Sequence, residues 1–347
     1  AEFSSAPAIT NPGTINGVED AAGISLFGAN AVSAPDSTTM EAIATVTGGS
    51  GMLSTGASSL AQIAVQGDRA AINTFLDDLV FVPDANWSGT ATISLRIEAD
   101  YTLVNGVDDN SDVTEFTFDV IVASVNDAPE GTDKTITIDE DTPHNFVAAD
   151  FGFSDPDDDP ADALLAIKIT TLPSKGSLTV SGVTVTAGDF ILAADIPNLV
   201  FTPALNANGA AYTSFTFQVQ DGGGSASGVD LDPSANTITF DVTPVNDAPV
   251  TADASATVQK NGSVEFVLTS TDADTGTSTA TNALVTHYKI VALPTNGTLK
   301  HGSTTISAAN TTITAAQAAD LSFEPTTNFV GDASFTFAAI DAAGAES

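Results

Sequence analysis

Apolar residues alternate with hydroxyl-bearing and charged ones along most of this chain. Thr-Ile-Thr-Ile at 135–138, Phe-Thr-Phe-Gln-Val at 215–219 and Thr-Ile-Thr-Phe-Asp-Val at 237–242 place apolar groups on one face and polar groups on the other. A period of two, interrupted by Gly, Asp, Asn and Pro clusters, predicts half-buried antiparallel strands. Long helical periodicity is absent; residues 69–76 and 315–320 each predict one or two helical turns ahead of a Leu-x-Phe strand. Many short strands at close spacing predict an all-β fold of Greek-key sandwiches.

The pattern repeats. Val-Asn-Asp-Ala-Pro at 125–129 returns at 245–249. Leu79-Val80-Phe81-Val82-Pro83 matches Leu199-Val200-Phe201-Thr202-Pro203 and Leu321-Ser322-Phe323-Glu324-Pro325, and each copy is followed by Asn and Gly at Asn86 and Gly89, Asn206 and Gly209, and Asn328 and Gly331. Each then enters an alternating stretch ending on Asp100, Asp221 or Asp341. A fixed internal period predicts tandem modules rather than one large fold. We expect three domains, 1–125, 126–245 and 246–347. Ala6-Pro7 has Ser4-Ser5 before it in place of Asn-Asp, so the copy at the front is degenerate or cut. After Asp100 and Asp221 a loop leads to a last strand, at 116–120 and 238–242. The third copy lacks one, and its open edge is expected to be filled by following sequence or by a donated strand.

Composition narrows the function classes. At 42% hydrophobic over 347 residues, each module can bury a core despite a net charge of −36. The eight Lys and Arg against 44 Asp and Glu argue against nucleic acid and against anionic membrane surfaces. No apolar stretch is long enough to span a bilayer. With no cysteine, neither disulfides, thiol chemistry nor a cysteine zinc site is available. His144, His287 and His301 lack metal-ligand spacing and are expected at surface or loop positions. No Gly-x-Ser-x-Gly elbow and no lysine-bearing phosphate loop occurs. Paired acids can cleave glycosides, but these acids recur at equivalent places in successive modules, as a structural device does. Trp87 could stack on a sugar, although Ala207 and Phe329 at its equivalent positions favour packing. The expectation is a non-enzyme.

The acids cluster. Ser154-Asp155-Pro156-Asp157-Asp158-Asp159-Pro160 corresponds to Thr271-Asp272-Ala273-Asp274. An Asp-x-Asp loop sends two carboxylates toward one point, which suits a hard cation with six to eight oxygen ligands. Without a cation such carboxylates raise one another's pKa. Asp108 and Asp109, and their counterparts Asp230 and Asp232, could hold a further calcium within a module or serve simply as good loop residues.

In combination, Asn-Asp-x-Pro at the linker, Asp-x-Asp in the next module and Asp at the far strand end resemble the cadherin pattern. The resemblance is closer to the cadherin-like tandem repeats of large bacterial, repeats-in-toxin-type adhesins. It implies Ca2+ at two joints. The implied ligands are Glu19, Asn126, Asp127, Asp155, Asp157 and Asp221 at the first joint, and Glu140, Asn246, Asp247, Asp272, Asp274 and Asp341 at the second. Ala34-Pro35-Asp36 departs from Asp-x-Asp, and Gln259-Lys260-Asn261 departs from Asp139-Glu140-Asp141, so further sites at those ends are not expected. The implied function is a calcium-stiffened extracellular rod on a bacterial cell surface. Its partners would be neighbouring domains of the same long chain, with cell-surface or biofilm ligands bound by other modules. A sugar- or peptide-binding module, or an accessory region of a secreted polysaccharide-degrading enzyme, are the rival readings.

Overall fold

A computed structural model describes residues 6–34, 40–56, 58–99, 113–226, 228–274 and 284–347. The alternation becomes strands throughout. In the first repeat, Ile15–Val18, Val113–Ala123, Gly89–Ala99, Met40–Gly48 and Gln62–Gly67 form a five-stranded sheet in that order. Ile24–Ser25, Val80–Pro83, Gly51–Ser54 and Ser59–Leu60 form the facing four-stranded sheet. Gly89–Ala99 buries every second residue, including Ile93, Leu95 and Ile97. These side chains meet Leu53 and Phe81 in one apolar cluster, so each sheet covers the other's apolar face. The second repeat has the same two sheets, Lys134–Asp139, Asn236–Thr243, Gly209–Asp221, Leu164–Ile169 and Phe190–Leu192 in one, and His144–Asn145, Leu199–Thr202, Ser177–Val180 and Val183–Thr184 in the other.

One pairing is not visible in the alternation. In both repeats the early strand runs parallel to the last: Ile15 lies opposite Val120, and Ile136 opposite Phe240. The last strand is therefore held on both edges, antiparallel on one side and parallel on the other. In the second repeat it also anchors an aromatic core. Phe240 stacks on Phe201 at 3.9 Å between centroids, and Phe146 meets Phe215 edge-on at 5.8 Å. The third repeat keeps a four-stranded sheet of Val264–Phe266, Leu321–Pro325, Gly297–His301 and Thr304–Ile306. Its other sheet has only Thr311–Thr314, His287–Ala292 and Thr336–Ile340.

The helical turns fall where the Leu-x-Phe strands begin. Arg69–Asp78 starts on Asp68, whose carboxylate accepts from the Ala71 N–H. Ala315–Ala318 starts on Thr314 with Gln317 completing a capping box. The second repeat has a 3-10 stretch there, Ala193–Asn198, consistent with the proline at 197.

The three histidines correct the expectation of surface or loop sites. All are half-buried strand residues. His144 packs edge-on against Phe146 at 4.9 Å, with its Nε2 3.4 Å from Asp150. Among the described residues no helix is long and apolar enough to cross a membrane.

By packing, the chain divides into two compact units. One holds Ala1–Gly131, Phe153–Ile167 and Gln218–Ser234; the other holds Thr132–Gly152, Lys168–Phe217 and Ala235–Ser347. Every residue of the first acidic joint falls in the former and every residue of the second in the latter, so each site below belongs to one unit.

Candidate metal centres at the two joints

Each joint is built by the same backbone logic. Glu19 sits just past the early strand of the first repeat, and its Oε1 accepts from the Val125 N–H at 2.6 Å and the Ser124 hydroxyl at 2.9 Å. Glu140 does the same one repeat on, accepting from the Val245 N–H at 2.8 Å through Oε1 and from Asn208 at 2.9 Å through Oε2. The parallel pairing of early and last strands brings these glutamates beside the linkers. Asp20 and Asp141, the next residues, have positive φ of 58° and 59°, and their carboxylates accept from the Asn86 and Asn206 N–H groups. Asn261 fastens Asn328 in the same way in the third repeat, but Lys260 stands where Glu19 and Glu140 stand. The fastening is kept there and the ligand is lost.

The linker asparagines are clamped through nitrogen. Asn126 Nδ2 donates to the Val229 carbonyl at 2.8 Å and lies 3.3 Å from Asp221 Oδ1. Asn246 Nδ2 donates to Asp341 Oδ2 at 2.7 Å. With the amide nitrogen committed, Asn126 Oδ1 and Asn246 Oδ1 are buried without a hydrogen-bond partner. The aspartates behave alike. Asp127 N–H donates to Asp158 Oδ2 at 3.1 Å and Asp247 N–H to Asp274 Oδ2 at 2.9 Å. Asp127 Oδ2, Asp247 Oδ2 and Asp155 Oδ1 are again buried without a partner. Buried oxygens without donors are rare in folded proteins, because each forfeits its hydration for nothing in return.

The carboxylates converge. Glu19, Asp127 and Asp158 bring oxygens within 4.8 Å of one another, as do Glu140, Asp247 and Asp274, and a third group joins Asp155, Asp158 and Asp162. Burial, then Asp20 and Glu19, push the Asp127 carboxyl above its usual range. Burial, then Asp141 and Asp274, do the same to Asp247. Asp158 is pushed up to about 6, by burial first and by Asp155 and Asp127 after it. Of the described lysines, Lys134 pairs with Asp150, Lys289 with Glu346 and Lys300 with Glu324, while Lys168 lies over the Phe190 ring and Lys175 over the Tyr212 ring. No described ion pair brings a side-chain cation to Asp127, Asp155 or Asp158.

An all-oxygen set of carboxylates and an amide carbonyl, several of whose buried oxygens have no donor, fits a hard divalent cation such as Ca2+. Glu19, Asn126, Asp127, Asp155 and Asp158 would hold it at the first joint, and Glu140, Asn246, Asp247, Asp272 and Asp274 at the second. Asp221 and Asp341 sit behind them, orienting the asparagine amides.

The geometry departs from the sequence-derived ligand sets at Asp221 and Asp341, which contact the asparagine amide nitrogens, and at Asp157. Asp158, not Asp157, occupies the place of Asp274, since both accept from the linker Asp N–H. The loop of the second repeat carries one more residue between its two buried aspartates. Asp157 is half-buried and outside the three carboxylate groups, though close enough to help raise Asp127. Asp162 was also not foreseen; its N–H donates to Asp155 Oδ2 at 2.6 Å. The Glu-Asp pairs at 19–20 and 140–141 were the available signal for Asp20 and Asp141.

The weaker candidates fare differently. Asp232 accepts from the Gly131 N–H and, through Oδ1, from the Ser234 N–H and hydroxyl, while Asp230 accepts from Gln220. These are loop fastenings, and neither residue joins a carboxylate group among the described residues. Asp108 and Asp109, with Asp36 and Asp100, lie outside the described residues. Trp87 packs edge-on against Phe81 at 6.5 Å, as part of the first core.

The family model described as "Bacterial Ig domain" matches residues 126–232 and 246–347, more than half of the chain. No curated protein matches it. Among solved structures, human mucin-like protocadherin EC1-2 aligns at 19% identity, covering 71% of this chain and 100% of that one, with a TM-score of 0.33. Human protocadherin-24 EC1-2 aligns at 14%, covering 69% and 98%, with a TM-score of 0.40. An endo-fucoidan hydrolase of glycoside hydrolase family 107 aligns at 15%, covering 99% and 44%, with a TM-score of 0.25.

Proposed function

This chain belongs to the bacterial Ig domain family, and we propose that it is a non-catalytic structural segment of an extracellular, surface-presented adhesin whose joints are stiffened by calcium. The observation that carries the reading is the matched pair of partnerless oxygens in each linker, Asn126 Oδ1 with Asp127 Oδ2 and Asn246 Oδ1 with Asp247 Oδ2. A linker needs no buried, unsatisfied carboxylate to connect two sandwiches, and such a group destabilises the fold. Recurrence of the same pair after a whole repeat points to a ligand common to both joints.

Bound calcium supplies positive charge to oxygens that repel one another. The chain's own residues do the rest. Glu19 and Glu140 come from the preceding repeat, Asn-Asp from the linker and Asp155, Asp158, Asp272 and Asp274 from the following one. A cation shared among the three would remove bending freedom at the linker. Pro129 and Pro249 stiffen the same stretch covalently, since their φ is fixed. The segment would then hold other modules of its parent at a distance from the cell, and those modules would carry the adhesive specificity.

Calorimetric titration with Ca2+ tests this. We expect saturable binding, with one class of sites lost in Asp127→Ala and a different class in Asp247→Ala. Absence of binding in the unaltered chain would remove the proposal.

A further inference from the structure

The turn that follows each Leu-x-Phe strand is built alike in all three repeats and differs in one residue. The Trp87, Ala207 and Phe329 N–H groups donate to the Asp84, Ala204 and Thr326 carbonyls. At the tip, Asn86, Asn206 and Asn328 have positive φ, and their N–H groups are taken by Asp20, Asp141 and Asn261. Each turn leaves through a glycine, Gly89, Gly209 or Gly331, at φ of 140°, 145° and 144°, where a side chain is rarely tolerated. The residue before that glycine therefore has the same place in each turn. It is Ser88 in the first repeat, Asn208 in the second and Val330 in the third.

Only Asn208 meets a joint glutamate. Its Nδ2 donates to Glu140 Oε2 at 2.9 Å, whereas no hydrogen bond joins Ser88 to Glu19 among the described residues. Val330 is 81% exposed, and in its repeat Lys260 replaces the glutamate. The amide thus occurs where there is a glutamate for it to hold, and an apolar group stands there once the glutamate is gone. Its effect follows from counting acceptors. An ionised carboxylate has about four lone-pair sites, divided between its two oxygens. At Glu19 both described donors, the Val125 N–H and the Ser124 hydroxyl, fall on Oε1, so the open sites lie together on Oε2. At Glu140 the donors are split, with Val245 N–H on Oε1 and Asn208 Nδ2 on Oε2, so each oxygen keeps an open site.

We propose that Asn208 is a positioning residue that makes Glu140 a two-oxygen calcium ligand, where Glu19 offers a single oxygen. This rests on the calcium reading of the joints and assigns a task to a residue outside both ligand sets. Glu140 is buried, and a donor at each of its oxygens stops the carboxylate plane from turning about the last side-chain bond. A cation that takes six to eight oxygens gains two from one fixed residue. Without Asn208 the carboxylate turns freely, and presenting both oxygens costs conformational entropy. Asn208 also lines an open cleft of about 690 Å³, together with Thr137, Asp241 and Thr243. Water can therefore take the place of a shortened side chain there, and the turn keeps its other fastenings.

The test is calorimetric titration of the full chain with Ca2+, with and without Asn208→Ala, the first joint serving as internal reference. The sites lost in Asp247→Ala should bind about tenfold more weakly in Asn208→Ala, while those lost in Asp127→Ala keep their Kd. Terbium(III) luminescence lifetimes in H2O and D2O, in an Asp127→Ala background, should count about one more metal-bound water after Asn208→Ala, in place of the lost oxygen. A purely structural Asn208 would instead lower Tm in chelator and leave both the Kd and the water count unmoved, which overturns the proposal. Equal weakening at both joints overturns it too. Asn208→Ser, which carries the first repeat's residue, should weaken the second joint likewise and decides the matter should Asn208→Ala fail to fold. Intact calcium binding with an unmoved second-joint Kd sinks this proposal alone. No binding by the unaltered chain removes the calcium reading and this proposal with it.

Discussion

The two joints share a plan and differ in how much charge they leave uncompensated. At the second, Asp341 is drawn upward by burial, but hydrogen bonds from Asn246 and from the Ala345 and Gly344 N–H groups outweigh it, so its carboxyl sits below the usual range. At the first, the equivalent Asp221 is pushed up by burial, and the hydrogen bonds from Gly223 and Asn126 do not offset it, with Asp155 and Asp162 adding repulsion. The first joint also holds the additional group of Asp155, Asp158 and Asp162. Protein donors thus outweigh burial at Asp341 but not at Asp221. A fold that concentrates like charge without donors depends on an outside cation in proportion to that deficit. The difference teaches that the repeated motif locates a site, while the surrounding loop sets how strongly it needs to be filled.

The largest expected effect is on calcium-dependent stability. With free calcium at about 100 times Kd, each filled site adds about 2.7 kcal/mol. Asp127→Ala should therefore remove more of the calcium-induced rise in Tm than Asp247→Ala, because the first joint adds a further carboxylate group, Asp155 with Asp158 and Asp162. Scanning calorimetry of both variants with calcium and with chelator measures this, and equal losses would erase the contrast. Next comes the ligand assignment. Asp158→Asn should cost most of the first joint's calcium stabilisation, on the order of 2 kcal/mol. Asp157→Asn should change it by less than about 0.5 kcal/mol. The reverse order in a calcium titration would restore Asp157 as the ligand.

Packing gives a third contrast. Gly223 lies so close to Asn126 Oδ1 and Asp162 that a Cβ there would collide with both, while the second joint carries Ala343 two residues past its aspartate. Gly223→Ala should destabilise the chain by about 1–3 kcal/mol, and Ala343→Gly by less than about 1 kcal/mol, both read from denaturant midpoints. The smallest expected effect is on pH. Asp158 has a folded value raised to about 6, so in chelator its stabilising contribution is present below the unfolded value of 3.8 and is lost as pH rises through about 6. Asp341 is lowered, so its contribution is present above 3.8 and is lost only as pH falls through its folded value. Chelated Asp158→Asn should flatten the loss between pH 4 and 7, and chelated Asp341→Asn should leave that window unchanged.

Much of this was legible in the residues, for reasons that differ by feature. Strands such as Lys134–Asp139 and Gly209–Asp221 announce themselves because a half-buried sheet imposes a period of two. The linkers announce themselves because Val-Asn-Asp-Ala-Pro recurs. Asp158 was hidden because one added residue in a loop shifts the spacing without altering the composition. Asp162 was hidden because its role depends on a loop folding back to Asp155. The histidines were misjudged because alternation treats His144 as polar, while its ring packs on Phe146 and Phe240. The parallel pairing of early and last strands, which places Glu19 and Glu140 at the linkers, is long-range and leaves no local signature.

The central claim is that calcium held at residues such as Asp127 and Asp247 stiffens the joints, and small-angle scattering tests it most directly. The unaltered chain and the Asp127→Ala/Asp247→Ala double variant would each be measured in calcium and in chelator. The account predicts a well-defined particle for the unaltered chain in calcium only, with a broader, flexible distribution in the other three conditions. Four superimposable curves would contradict it.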